Sequence, residues 1–247
     1  MGDLGSSYIT DRPVTASIKE ALPATLILAT VAMFFATLFG IAIGLVLALF
    51  PNSKIGDLVL SICALGMSAP SFVVAILVAW LFGYVLHSYT QLPMTGGMII
   101  VDPFEGPRLA WAHLILPAFT LGMRPLAVII QLSRNSALEV LSQPYIRTAR
   151  AKGLSRSRIL FRHVLRNSLN PVLTATSGWF ASMLAGAVFV EFVFGWKGMG
   201  LLMFNALERG DLPIVMGCTL VISTIFVLVN VGVDILYGIL DPRVERL

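Results

Sequence analysis

Between Glu20 and Lys54 the chain carries no charged residue, and the apolar run from Ala24 to Phe50 lies inside that gap. At about 1.5 Å per residue, a helix of this length crosses a hydrocarbon core about 30 Å thick. A soluble domain rarely buries such a run on every side, so the segment belongs in a bilayer. It belongs there as a helix, which satisfies its own backbone without water. Composition supports the same placement: 57% of the 247 residues are hydrophobic and 12% are charged, against about 45–50% and about 25% in soluble domains.

Further apolar runs follow at about Val59–Leu86, Leu109–Gln131, Pro171–Val190 and Pro213–Leu240. Pro117 and the Arg124-Pro125 pair interrupt the third, and proline kinks a membrane helix without unfolding it. The pattern predicts an all-α, polytopic transmembrane helical bundle over residues 24–247, with five spans at about 24–50, 59–86, 109–131, 171–190 and 213–240. Residues 1–23 are polar, lack a signal-peptide core and read as an extracytoplasmic or interfacial segment. Gly40 and Gly44 form a GxxxG, a spacing that lets two membrane helices approach closely.

Lys and Arg set the orientation. With the N-terminus outside, eleven fall in cytoplasmic connections and five outside (Arg12, Lys19, Arg108, Lys197, Arg209); Arg124, inside a span, completes the 17. The C-terminus is then cytoplasmic. Eight of the 17 lie between Leu132 and Asn170, so residues 132–170 read as a cytoplasmic loop. The pI near 9.3 reflects this topology, and nucleic acid is not an expected partner.

Several chemistries lack their residues. Cys63 and Cys218 each sit in an apolar run and cannot build a disulfide framework or a metal motif. No Gly-x4-Gly-Lys-[Ser/Thr] phosphate loop occurs, so the chain binds no ATP by that route and its energy must come from another chain. No His-Glu-x-x-His or Gly-x-Ser-x-Gly is present, and His87, His113 and His163 are scattered. No catalytic residue, metal ligand or cofactor is expected on this chain.

The basic loop has a pattern of its own. Gly153 stands where a helix C-terminus takes a left-handed residue, and Ser155 stands where the next helix is capped. Tyr145 and Ala149 belong to the first helix, and Ile159, Leu160, Val164 and Leu165 supply apolar positions to the second. A helix, a turn and a helix on a cytoplasmic face can transmit a push from a soluble partner, since a helix moves as a rigid body.

Here the chain resembles the inner-membrane permease subunits of binding-protein-dependent ABC importers, whose cytoplasmic signature runs Glu-Ala-Ala, three residues, Gly, nine residues, then Ile-x-Leu-Pro. Arg147, Thr148 and Ala149 stand at the first three positions, Gly153 at the glycine, and His163, Leu165 and Arg166 at the Ile, Leu and Pro. The departures at Arg147, Thr148 and Arg166 look like the first permease subunit of the dipeptide, oligopeptide and nickel branch, which commonly reads RTARAKGL. Phe194 to Gly200 is similar to that branch's outer loop, and Leu240-Asp241-Pro242-Arg243 to its tail.

The resemblance implies a type I importer permease with a cytoplasmic coupling helix, in a bacterial or archaeal inner membrane. Arg147, Thr148, Ala149, Arg150, Lys152, Gly153 and Leu154 would meet an ATPase, with the arginines facing it or anionic lipid. Implied partners are a second homologous permease subunit, two ABC ATPase subunits carrying ATP and Mg, an extracytoplasmic substrate-binding protein and membrane lipid. The expected solute is a peptide, with nickel or another small solute as the alternative; a stand-alone channel or secondary transporter would leave the basic loop without a partner. Branch members usually place one further transmembrane helix before the Gly2-Asp3-Leu4-Gly5 segment, so this sequence is expected to lack that first helix.

Two other groups stand out. Arg124 falls inside a span, where an ionised group needs water, the headgroups or a partner. Asp234, with Asn230 one turn earlier, lies at similar depth in the last span, so the three form one polar contact or cluster, or act independently. On the outer side, Glu191, Trp196, Gly198 and Gly200 belong to a loop whose glycines permit a tight turn near a pore mouth, or whose aromatics form an interfacial belt.

Overall fold

The computed structural model describes residues 4–102 and 106–240. In chain order the helices are α1 (Val14–Leu49), α2 (Lys54–Ser68), α3 (Ser71–Trp80), α4 (His87–Thr90), α5 (Ala112–Ser142), α6 (Pro144–Ala151), α7 (Arg156–Ile159), α8 (Leu165–Gly186), α9 (Val188–Phe194), α10 (Met199–Arg209) and α11 (Leu212–Leu240). π-helical turns occupy Leu81–Val85 and Leu160–Val164. A short antiparallel hairpin, β1 (Ile99–Asp102) with β2 (Gly106–Leu109), pairs Ile99 with Leu109 and precedes α5.

Among the described residues three helices are long and apolar enough to cross a membrane, and up to five spans result if two broken helix pairs each count as one. The spans differ from the expected boundaries in ways the backbone explains. α1 begins at Val14, inside the segment expected to precede the membrane, because Val14, Ile18 and Ala21 already bury one face. The second span is broken: Ala69 and Pro70 are both extended, so α2 ends and α3 starts afresh. This is the restriction proline places on the residue before it.

α5 runs to Ser142, eleven residues beyond the expected end at Gln131, so the connection starts at Gln143 rather than at 132. Ala137 on the extra turns is buried in the core that also holds α6, which is why the helix continues past the membrane run. α8 likewise begins at Leu165, before the expected 171. The tail from Asp241 lies outside the described residues.

The chain divides into two compact units. One comprises the residues up to Ala32, Pro70–Leu121 and those from Phe180 onward; the other comprises Met33–Ala69 and Gly122–Trp179. In the first, Val14, Ile18 and Ala21 of α1 pack with Met199 and Ala206 of α10 and with Ile214 and Cys218 of α11. In the second, Leu45 and Ala48 of α1 pack with Ala137, Ile146, Ala149, Ile159 and Val164.

The GxxxG forms a close helix contact in the second unit. A methyl on Gly40 would come within 2.6 Å of Ile129, and one on Gly44 within 2.6 Å of Ser133 and 2.7 Å of the Ile130 carbonyl. α1 and α5 therefore touch backbone to backbone, and dispersion holds them where lipid offers no hydrophobic drive. α11 is the opposite case: 17% of its most apolar stretch, within residues 212–232, is buried, against 56% in α5, so that stretch is open along most of its length.

Candidate functional site: a coupling helix and a buried carboxylate

α6 is held by one face and open on the other. Ile146 and Ala149 are buried against Leu45 and Ala48 of α1, while Arg147, Thr148 and Arg150 are exposed. Pro144 opens the helix at a position whose N–H needs no partner. Two bonds close it: Gly153 N–H donates to the Arg150 carbonyl (3.0 Å), and Leu154 N–H to the Ala149 carbonyl (3.2 Å).

That pair is a Schellman closure, which needs a left-handed residue after the helix. Gly153 supplies it at φ 77°. A methyl there would meet nothing within 4 Å, so the demand for glycine is conformational and not one of space. Leu154 joins the same core as Ala149, completing the apolar contact that goes with this turn.

The return helix contains the π turn Leu160–Val164, and the extra residue rephases its faces. Ile159 and Val164, five apart, are both buried, whereas an uninterrupted α-helix would place His163 inward, beneath Ile159. His163 stands instead beside Tyr145, with ring centroids 6.5 Å apart, and the Tyr145 hydroxyl accepts from Asn167 (3.1 Å). Ser155, expected as a side-chain cap, has its hydroxyl 3.5 Å from that of Ser157 and receives Ile159 N–H on its carbonyl.

In the other unit Glu191 and Trp196 are fully buried, with Thr25 nearly so. The Thr25 hydroxyl donates to Glu191 Oε1 (2.6 Å) and accepts from Met199 N–H (2.8 Å), while Leu201 N–H donates to Glu191 Oε2 (3.1 Å). Trp196 Nε1 donates to the Ala24 carbonyl (3.0 Å). Gly195, at φ 65°, ends α9 by another left-handed turn that brings Trp196 N–H back onto the Glu191 carbonyl (2.8 Å).

Gly198 and Gly200 are glycines for want of space. A methyl on Gly198 would overlap the Glu191 carboxylate and the Thr25 hydroxyl, and one on Gly200 would strike the Val188 backbone. The loop is thus a packed block around one carboxylate, with Trp196 buried in it instead of lying in an interfacial belt.

Pattern reasoning missed Thr25, since a lone threonine in an apolar helix carries no motif. It also missed Asp211, which is 4% exposed, accepts from the Ser7 hydroxyl and takes Tyr8 N–H at 3.2 Å. The only hint was an acid beside Gly210, between two helices.

Arg124 finds a helix end. Its Nη2 donates to the carbonyl of Ala69 (2.9 Å), the residue that terminates α2, while its Nε is buried without a partner. Gln131, two turns along α5, donates to Met67 Sδ (3.7 Å). A cation at the carbonyl end of α2 meets the negative pole of that helix, which favours the charge even in an apolar setting. Asn230 donates to the Phe226 carbonyl of its own helix (2.8 Å). The Asp234 side chain, to which the expected Arg124 contact would run, lies outside the described residues. His87 and His113 are hydrogen-bonded to the carbonyls of Leu92 and Thr95.

Membrane-length helices packed through glycine contacts, with a cationic helix-turn-helix in one connection, are the architecture of a membrane transport component. The chain belongs to the family of binding-protein-dependent transport system inner membrane components, whose model matches residues 40–246. Members are multi-pass transport subunits and not enzymes.

It is 39% identical over 262 residues to the dipeptide transport system permease protein DppB of Escherichia coli K12 and 41% identical over 259 to the di/tripeptide permease of Pseudomonas aeruginosa UCBPP-PA14. Each alignment covers 99% of this chain and 77% of the relative. The fold is similar to that of the MetNI methionine ABC transporter in an inward-facing conformation, with a TM-score of 0.73 at 16% identity over 92% of this chain and 97% of that one. An amino acid ABC transporter with histidines matches at a TM-score of 0.61 and 14% identity, over 93% and 94%.

Proposed function

We propose that the chain is a solute-conducting subunit of an ATP-driven peptide importer, passing dipeptides or oligopeptides inward by alternating access. Two ABC ATPase subunits hydrolyse ATP with Mg, a second homologous permease subunit completes the pore, and an extracytoplasmic binding protein delivers the solute. The N-terminal side of α1 faces outward and α6 faces the cytoplasm. The observation that carries this reading is α6: one face anchored by Ile146 and Ala149, a rigid turn at Gly153, and a cationic outer face. A lever of that build transfers force, because neither the helix nor its turn absorbs displacement. The named substrates of relatives 39% and 41% identical support peptide as the solute.

Co-expression with candidate partner subunits, reconstitution and uptake of a labelled dipeptide test it. The expected result is ATP-dependent uptake with ATPase subunits co-purifying, and loss of uptake in Gly153→Asp. Uptake of nickel without dipeptide uptake would reassign the solute; wild-type uptake by the chain without any ATPase subunit would overturn the importer reading.

A further inference from the structure

Two helices of the first unit line one groove, each with a single face. From α10 come Gly198, Leu201, Asn205 and Arg209, and from α1 come Ser17, Glu20, Ala24 and Ile27. Steps of three and four residues put each set on one side of its helix. The two segments run antiparallel: the Thr25 hydroxyl meets Met199 N–H at one end, and Asp211 meets the Ser7 hydroxyl at the other. Met98, Ile99 and Leu109, in and beside the hairpin, complete the wall.

The groove has a volume of about 770 Å³, within the span of about 300–1,000 Å³ that takes a small organic ligand. From Gly198 to Arg209 α10 rises about 16 Å, a length that an extended peptide covers in about five residues.

Charge is sorted along that length. Lys197 stands at the Thr25 end beside Gly97, exposed and, among the described residues, without a carboxylate partner. Among the described residues no acid lines the groove at that end; Glu191 lies behind Gly198, with Thr25 on one oxygen and Leu201 N–H on the other. The lining acids, Glu20 and Asp211, both fall toward the Ser7 end, where Arg12 holds one Glu20 oxygen (2.6 Å). Between them Ala21, Leu201, Leu202 and Ala206 make the walls apolar. A ligand of one sign would leave one end unmatched, and an apolar one would leave Lys197 unmatched.

We propose that this groove binds a short linear peptide in extended form, its C-terminal carboxylate on the Lys197 ammonium and its N-terminal ammonium toward Glu20 and Asp211. A charge-assisted bond fixes the carboxylate end, and the apolar walls accept side chains without selecting among them. With the N-terminal side of α1 outward, the groove lies on the side from which solute arrives. The choice of a peptide rests on the importer reading above.

The test uses the assembled transporter in nanodiscs without its binding protein. The probe is Ala-Ala-photoleucine-Ala with a free C-terminal carboxylate, against the same peptide amidated. After irradiation, mass spectrometry is expected to find label on residues 17–27 and 198–209, several-fold stronger for the acid than for the amide and competed by unlabelled acid. Lys197→Gln should lower labelling by the acid to the level of the amide, and Lys197→Arg should restore the difference. The acid and amide comparison in the unaltered protein needs no variant to fold. Equal labelling by acid and amide there overturns the proposal, as does label that falls outside the groove. Should ATP-dependent dipeptide uptake persist in that case, only the site is wrong; groove labelling that prefers the acid in a protein without such uptake keeps the site and removes the importer reading.

Discussion

Around Glu191 the polar groups face one another and exclude water, whereas on α6 they face out and only Ile146 and Ala149 face in. The first arrangement welds a loop to α1 through Thr25, Trp196 and the carboxylate. The second leaves a helix whose cationic face is open at the surface. Buried polar groups are expensive to leave unpaired, so the Glu191 block is intolerant of change. Exposed cations cost little to lose, so whatever depends on Arg147 and Arg150 should be binding and not stability.

The largest expected effect is in Glu191→Ala. It strips the acceptor from the Thr25 hydroxyl and from Leu201 N–H, and at about 1–3 kcal/mol for each buried donor left unsatisfied the loss reaches about 3 kcal/mol or more. A fall in thermal stability in detergent checks this, with Glu191→Gln milder because it keeps an acceptor oxygen. An unchanged midpoint would end the idea of a welded block.

Thr25→Val comes next, at about 2 kcal/mol, because Met199 N–H loses its acceptor and Glu191 one donor. If Thr25→Val equals Thr25→Ser in the same melt, the hydroxyl is not what matters. Gly153→Ala should cost about 1–2 kcal/mol of local strain in the left-handed region, with Gly153→Asn milder. Hydrogen exchange at the amides of residue 153 and Leu154 reads it, and equal exchange in all three proteins would mean that the turn is no more rigid with glycine than without it.

The smallest stability effect is expected for Arg147→Ala with Arg150→Ala, within about 0.5 kcal/mol per site, while ATPase co-purification falls sharply. A melt shifted as far as that of Glu191→Ala would erase the contrast between the two regions.

Much of the second unit was legible in the chain. The GxxxG predicted a close contact because glycine spacing is local information, and Gly153 predicted a left-handed turn for the same reason. The outer loop was legible only as a motif. That Glu191 points inward to Thr25, 166 positions earlier, depends on which helix packs beside α9, and no local pattern records that. Span lengths were misjudged where α5 leaves the apolar run yet remains helical, since Ala137 draws its stability from packing and not from lipid.

Hydropathy and charge along the chain already place it in a membrane, mark where its apolar runs begin, and gather its cations on one connection. Hydropathy and charge act residue by residue, so they survive without knowledge of neighbours. Tertiary structure decided which face of each helix those residues occupy. The π turn at Leu160–Val164 turns His163 away from the core, and the carbonyl end of α2 gives Arg124 its partner. Such pairings arise from distances between segments remote in the chain, and only the folded molecule sets those.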